Sequence, residues 1–226
     1  MKPQVPETLR EKVMGDLRPV KPVAPPPVRW VLIILWTCAL LVAVPALMGL
    51  RFNAPHLGFW LLWGATGVEA IAGGLLVLLA LREAIPGLGA SRFTLVVALL
   101  GALVLELGIA LFTYVRCPCP ASGIGNGVVC FSNEMLLGLP ALGLTVFLVV
   151  RAYPLSPPKA GLFGGVGAGL IADAVLHTVC PFSDLRHVLV SHLGAVVLLG
   201  VVGLVLGIGW QSIRMWRLRK ELLGDK

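Results

Sequence analysis

Charged residues are scarce in this chain of 226 residues, at 13% of the total, whereas hydrophobic residues make up 58%. This composition indicates a membrane protein. No stretch predicted to lie outside the membrane is longer than the N-terminal tail, which has about 30 residues and is too short for a soluble catalytic domain. Function therefore has to be carried by short tails, loops and the few polar residues within hydrophobic segments.

Three other absences reduce the number of protein classes to which the chain could belong. The sequence has no Cys-x-x-Cys pair, the arrangement that lowers a thiol pKa in disulfide oxidoreductases. It has no convincing repeat between its halves, so an inverted-repeat transporter gains no support. The first hydrophobic run is long and is not followed by a small-residue cleavage site with a polar continuation, so we expect no cleaved signal peptide.

Six hydrophobic runs are the main feature that is present. They are between 16 and 23 residues long: Val31–Leu50, Phe59–Leu81, Phe93–Val115, Met135–Val150, Ala160–Val179 and Val188–Gly209. A helix needs about 20 apolar residues to cross a bilayer core of roughly 30 Å. The fourth run approaches this length if Asn133 and Glu134 form its interfacial turn. The sequence therefore predicts an all-α fold, a polytopic integral membrane bundle of six transmembrane helices.

Basic residues are distributed unevenly between the segments that flank these runs. The two tails and the loops after the second and fourth runs hold 15 of the 18 Lys and Arg residues, and the other three loops hold one each. Because cytoplasmic segments are enriched in Lys and Arg, both termini are predicted to be cytoplasmic. The net charge of +7 thus reflects membrane topology and gives no indication of direct nucleic-acid binding.

The predicted organisation has three parts: a cytoplasmic tail (1–29), a transmembrane domain (30–210) and a basic cytoplasmic tail (211–226). The last tail begins with a cluster of basic residues suited to anionic lipid headgroups. The bias towards Ala, Gly, Val, Leu and Arg is typical of a GC-rich bacterium. We therefore expect a multi-pass protein of the bacterial inner membrane, with its N and C termini inside.

The N-terminal tail contains one amphipathic pattern, over Pro6–Leu17. Its apolar stripe consists of Leu9, Val13, Met14 and Leu17. This spacing predicts a short helix, which is marginal in water until the stripe finds a partner. The prolines between Pro19 and Pro27 favour an extended spacer before the membrane. An unstructured leader remains the alternative interpretation.

Ionisable residues inside the hydrophobic runs are the first candidate site. They are Glu69, Glu106, Asp173, His177 and His192. Each is costly in lipid and should face protein or water. They are consistent with a proton or metal path, but we favour hydrogen bonds that hold the helices together. Glycines repeat every fourth residue in the fifth run, from Gly161 to Gly169, and at Gly203 and Gly207 in the sixth, which predicts close helix packing.

Four cysteines are the second candidate site, because all fall in segments predicted to face outward: Cys117, Cys119, Cys130 and Cys180. Cys38 lies alone in the first run and is expected to be a packing residue. An oxidising compartment allows structural disulfides, a redox or metal sensor, or unpaired thiols. His177 and His187 flank Cys180, and thiolates with imidazoles suit zinc or copper(I). The spacing is not that of a zinc ribbon, so no metal is assigned.

Two segments carry a resemblance to a known family. They are HTVCPFSDLRHVLVSHLGAVVLLG, from His177 to Gly200, and the proline-rich LRPVKPVAPPPVRW, from Leu17 to Trp30. With Cys130 beside Phe131, they resemble the NrsF-like negative regulators of sigma factor, which are six-span anti-sigma proteins. The resemblance implies that the tail holds an extracytoplasmic-function sigma factor and that Cys130 and Cys180 sense envelope or oxidative stress. Cys117-Pro-Cys119 departs from the family pattern and leaves the thiol pairing ambiguous.

The interpretation we favour is a membrane-bound anti-sigma factor that binds sigma through Leu9, Val13, Met14 and Leu17. It is expected to release sigma on an envelope, oxidative or metal stress sensed at the outward-facing cysteines. It is not expected to be an enzyme or to need a cofactor. Two rivals remain. One is a membrane thiol–disulfide oxidoreductase coupled to quinone. The other is a proton or metal transporter that uses the intramembrane polar residues. The sequence gives no indication of the oligomeric state.

Overall fold

The computed structural model describes residues 7, 11, 14, 15, 23–85, 87–116 and 123–223, with side chains described as far as residue 220. These residues contain no strand and six helices long and apolar enough to cross a membrane. The helices are α1 (Pro26–Met48), α2 (Ala54–Arg82), α3 (Arg92–Arg116), α4 (Ile124–Val150), α5 (Pro157–His177) and α6 (Leu185–Lys220). The predicted all-α bundle of six membrane helices is confirmed.

Helix α5 lies at the centre of the bundle. In the most apolar stretch of α5, 89% of the residues are buried. The corresponding share is 17% in α1 and in α3, which are peripheral. α5 packs mainly against α2, α4 and α6. Large apolar side chains on the outer helices, such as Leu47 and Phe93, point outward. A lipid environment explains this, because acyl chains are as apolar as these side chains.

The glycine pattern predicted for close packing is confirmed. A Cβ atom on Gly161 would lie 2.0 Å from the carbonyl oxygen of Gly203, and one on Gly165 would lie 2.2 Å from that of Leu199. A Cβ atom on Gly207 would lie 2.3 Å from the Pro157 carbonyl oxygen. The backbones of α5 and α6 therefore touch, and no larger residue fits at these positions.

The prediction for the fourth span was wrong at its start. Helix α4 begins at Ile124 and has 27 residues, so Glu134 lies within it and is fully buried rather than in an interfacial turn. Cys130 is likewise inside the helix, not in a loop. The polar residues that interrupt the hydrophobic run misled the prediction. Glu134 is tolerated because it faces other polar groups inside the bundle.

One helix start and one internal helical turn differ from a simple reading of the sequence. Pro26 and Pro27 form the first turn of α1 instead of continuing an extended spacer, since a helix tolerates proline where its N–H groups have no partner. Helix α6 contains one π-helical turn, Val188–His192. Such turns add a residue and often occur at functional sites. This one carries His192.

Candidate functional site

A pair of buried cysteines marks one end of the polar interior. Cys130 belongs to α4, and Cys180 follows the end of α5. Their Sγ atoms lie 3.3 Å apart, and both residues are less than 9% exposed. A disulfide bond requires about 2.05 Å, so a small shift of either side chain would suffice to form one. The structure thus brings together two of the four cysteines singled out in the sequence.

Two histidines adjoin the sulfur atoms. The Nε2 atom of His187 lies 3.3 Å from the Cys180 Sγ atom, and the rings of His187 and His192 are 5.2 Å apart. His187 sits in the first turn of α6, where its backbone N–H donates to the side chain of Asp184 at 3.0 Å. This N-cap fixes where α6 begins and therefore where the His187 ring lies.

Arg51, in the loop between α1 and α2, anchors the Cys180 loop. Its Nε atom donates to Asn53 at 2.6 Å, and its Nη2 atom donates to Ser183 at 2.7 Å. Its backbone N–H donates to the Thr178 carbonyl at 3.0 Å. Burial lowers the pKa of Arg51 to about 10, and nearby Cys180 partly opposes that shift. The guanidinium is therefore still charged at neutral pH.

The surroundings of Cys180 change the pKa of its thiol. Its hydrogen bond to Cys130 and its burial both raise the pKa of this thiol above the usual range. At neutral pH Cys180 is therefore a protonated thiol, which is less nucleophilic than a thiolate.

A group of carboxyl side chains lies deeper in the bundle, next to the two cysteines and two histidines. His192 contacts Asp173 through Nδ1 and Oδ1 at 2.5 Å, and the same Nδ1 atom is 3.4 Å from Glu134 Oε2. The carboxyl oxygens of Glu69 and Glu106 come within 4.8 Å of each other and of Asp173. These five side chains come from five helices and are at most 5% exposed.

A small cavity separates parts of this group. It has a volume of about 30 Å³, and Glu69, Glu106, Asp173, His177 and Arg51 are among its lining residues. A water molecule needs at least about 10–15 Å³, so the cavity accommodates one or two. The five intramembrane residues expected to be polar site candidates therefore share one interior region. Their position fits hydrogen bonding between helices, as in the contact between His192 and Asp173.

Sequence reasoning missed several members of this region. Glu134 was assigned to an interfacial turn, and no pattern linked Arg51 or Ser183 to the cysteines. A glutamate four residues after a cysteine, and so on the same helix face, is the available signal for Glu134. The contacts of Arg51 depend on loop packing, for which the sequence gives no periodic pattern.

Most of the other residues that the sequence singles out lie outside the part of the chain that the structure describes. Cys38 is exposed on α1. Cys117, Cys119, Leu9, Val13 and Leu17 lie outside the described residues. Of the predicted apolar stripe, only Met14 is described, and its side chain is 62% exposed.

Comparison with protein-family models shows to which family the chain is similar. A family model described as NrsF, negative regulator of sigma F, matches residues 14–210. The matched region starts at Met14 in the tail and contains all the residues of the polar interior. No curated protein and no solved structure matches the chain.

Proposed function

The chain belongs to the NrsF family of negative regulators of sigma F, and on this premise we propose that it is a membrane-bound anti-sigma factor for an extracytoplasmic-function sigma factor. Family membership over residues 14–210 is the observation that carries the proposal. The protein regulates transcription by binding the sigma factor and has no direct contact with nucleic acid and no catalytic role. It resides in the bacterial inner membrane.

The binding segment is the N-terminal tail. An apolar stripe of Leu9, Val13, Met14 and Leu17 enters a groove on the sigma factor, as amphipathic helices do in other complexes. The exposure of Met14 supports this step. A helix this short gains most of its stability from the partner, so the bound sigma factor orders the tail and cannot engage RNA polymerase.

The distribution of basic residues supports a topology that allows transmembrane signalling. With 15 of 18 basic residues in the tails and alternate loops, both tails are cytoplasmic and the Cys180 loop faces outward. Sensor and binding segment then lie on opposite sides of the membrane.

The sensing step takes place at Cys130 and Cys180. A hydroperoxide oxidises the two thiols to a disulfide and is itself reduced to an alcohol and water, which accounts for two electrons and two protons. The bond joins α4 to the end of α5 and favours one packing of the bundle.

Signalling requires that the two packings bind sigma with different affinity. Changing occupancy from 99% to 1% takes about 5.5 kcal/mol, and a disulfide contributes roughly 2–4 kcal/mol. Release is therefore graded.

The tail can be tested directly. A peptide of residues 1–22 is immobilised and exposed to the extracytoplasmic-function sigma factors of the source cell, each purified separately. We expect one of them to bind. Replacing Leu9, Val13 and Leu17 with Asp abolishes capture, whereas the matched control Glu7→Gln/Glu11→Gln, on the polar face, retains it. Binding by none of the sigma factors, or equal binding by both variants, contradicts the assignment of the tail.

A further inference from the structure

We propose that Cys130, Cys180, His187 and His192 form a binding site for one zinc ion. Each residue offers one ligand atom, the four atoms lie within 4.8 Å of one another, and all four residues are buried. In a tetrahedral zinc site with Zn–S of about 2.3 Å and Zn–N of about 2.0 Å, ligand atoms are roughly 3.3–3.8 Å apart. The Cys130–Cys180 and Cys180–His187 separations are both 3.3 Å. Small side-chain adjustments therefore suffice.

The surroundings of His192 independently indicate a ligand. Asp173 contacts its Nδ1 atom at 2.5 Å. The Nε2 atom is buried and has no hydrogen-bond partner among the described residues. A buried polar atom without a partner is costly. A carboxylate on one ring nitrogen with a metal on the other is the usual arrangement around metal-binding histidines. Asp173 thus orients the ring and leaves Nε2 for the ion.

The neighbourhood also supplies access and shielding. A cavity of about 300 Å³ lies between the start of α4 and the start of α6, and its lining includes Gly127, Arg186, His187 and Ser191. Because His187 lines the cavity and belongs to the cluster, the cavity reaches one of the proposed ligands. The Phe182 ring, 5.2 Å from the His187 ring, adds apolar cover.

The donor set determines the class of ion. Two sulfur and two imidazole ligands suit zinc and other soft divalent ions, whereas magnesium and calcium require oxygen ligands. The zinc site extends the proposed function to the ligand of the sensor. It rests on that function because the same two thiols act as the sensor. A hydroperoxide that oxidises the zinc-bound thiolates takes two electrons from the two sulfur atoms and two protons from solvent. The products are the disulfide, an alcohol, water and free Zn²⁺.

The test uses full-length protein in detergent, purified under reducing conditions from cells grown with zinc. Elemental analysis should give about one zinc per chain. Co²⁺ titration should give intense thiolate charge-transfer bands and the absorption of a tetrahedral ion. We expect Cys130→Ser and His192→Gln to weaken metal binding at least tenfold. Cys38→Ser and His56→Gln, which alter residues outside the cluster, should bind as the parent does.

A second variant keeps the test informative if a ligand substitution prevents folding. His187→Cys retains four ligands with three sulfurs, so it should still bind Co²⁺, with a stronger charge-transfer band than the parent. Cys117→Ser/Cys119→Ser should retain full binding. Absence of zinc and cobalt binding overturns the proposal, and so does loss of binding confined to Cys117→Ser/Cys119→Ser. If metal binding fails while the tail peptide still captures a sigma factor, only the zinc site is refuted.

Discussion

The Sγ atoms of Cys130 and Cys180 lie 3.3 Å apart although the residues are 50 positions apart in the chain. The contact joins α4 to the loop that leads from the central helix α5 into α6. A covalent bond here therefore constrains three helices at once.

Mild treatment of the reduced protein with a hydroperoxide should form the Cys130–Cys180 disulfide. Peptide mass spectrometry after alkylation should recover the linked pair, because no other described cysteine is near either sulfur. Cys38→Ser is the control and should give the same linkage. Recovery of Cys130 or Cys180 linked mainly to Cys117 or Cys119 would contradict the pairing.

A side chain larger than glycine at position 161 should destabilise the contact between α5 and α6. Gly161→Ala places a Cβ atom 2.0 Å from a backbone oxygen, and overpacking of this kind costs about 1–3 kcal/mol. The free energy of unfolding in detergent measures the loss. Gly143→Ala on α4 is the matched control, since its Cβ atom would meet no atom within 4 Å. Equal stability of the two variants would refute the packing.

Arg51 should stabilise the Cys180 loop. Arg51→Met removes hydrogen bonds from a charged group to Asn53 and Ser183, for which we expect a loss of about 1.5–3 kcal/mol. Maleimide should also label Cys180 faster, in a background that lacks the other cysteines except Cys130. Exposed Arg116→Met should change neither quantity. An unchanged labelling rate in Arg51→Met would show that the arginine does not anchor the loop.

Asp173 and His192 should be energetically coupled. In a double-mutant cycle with Asp173→Asn and His192→Gln, contacting side chains typically give an interaction energy of about 0.5–3 kcal/mol. The same cycle with exposed His56→Gln in place of His192→Gln should be additive. Additivity in both cycles would show that the contact contributes nothing to stability.

The sequence predicts the membrane helices well because bilayer thickness fixes the length of an apolar run. It also predicts the glycine contacts, since a four-residue repeat keeps small residues on one helix face. The start of α4 is the exception. A hydropathy pattern predicts that Glu134 is interfacial. It contains no information on the contacts between helices, and these contacts bring five polar side chains together inside the bundle.

The site was predictable only in part. Spacing within one run places Asp173 and His177 on a shared face, but it does not say which helices meet there. The meeting of Cys130 with His187, and of Asp173 with His192, follows from the packing of α4 and α6 on α5. The π-helical turn that carries His192 leaves no distinct mark in the hydrophobic pattern.

The central proposal is that the redox state of Cys130 and Cys180 changes the affinity of the tail for the sigma factor. The most direct measurement is the dissociation constant of the cognate sigma factor for the full-length protein in nanodiscs, reduced and after disulfide formation. We expect at least about tenfold weaker binding by the disulfide form, corresponding to 1.4 kcal/mol, and one unchanged affinity for Cys130→Ser/Cys180→Ser under both treatments. Equal affinity of the reduced and disulfide forms of the parent protein would contradict the claim.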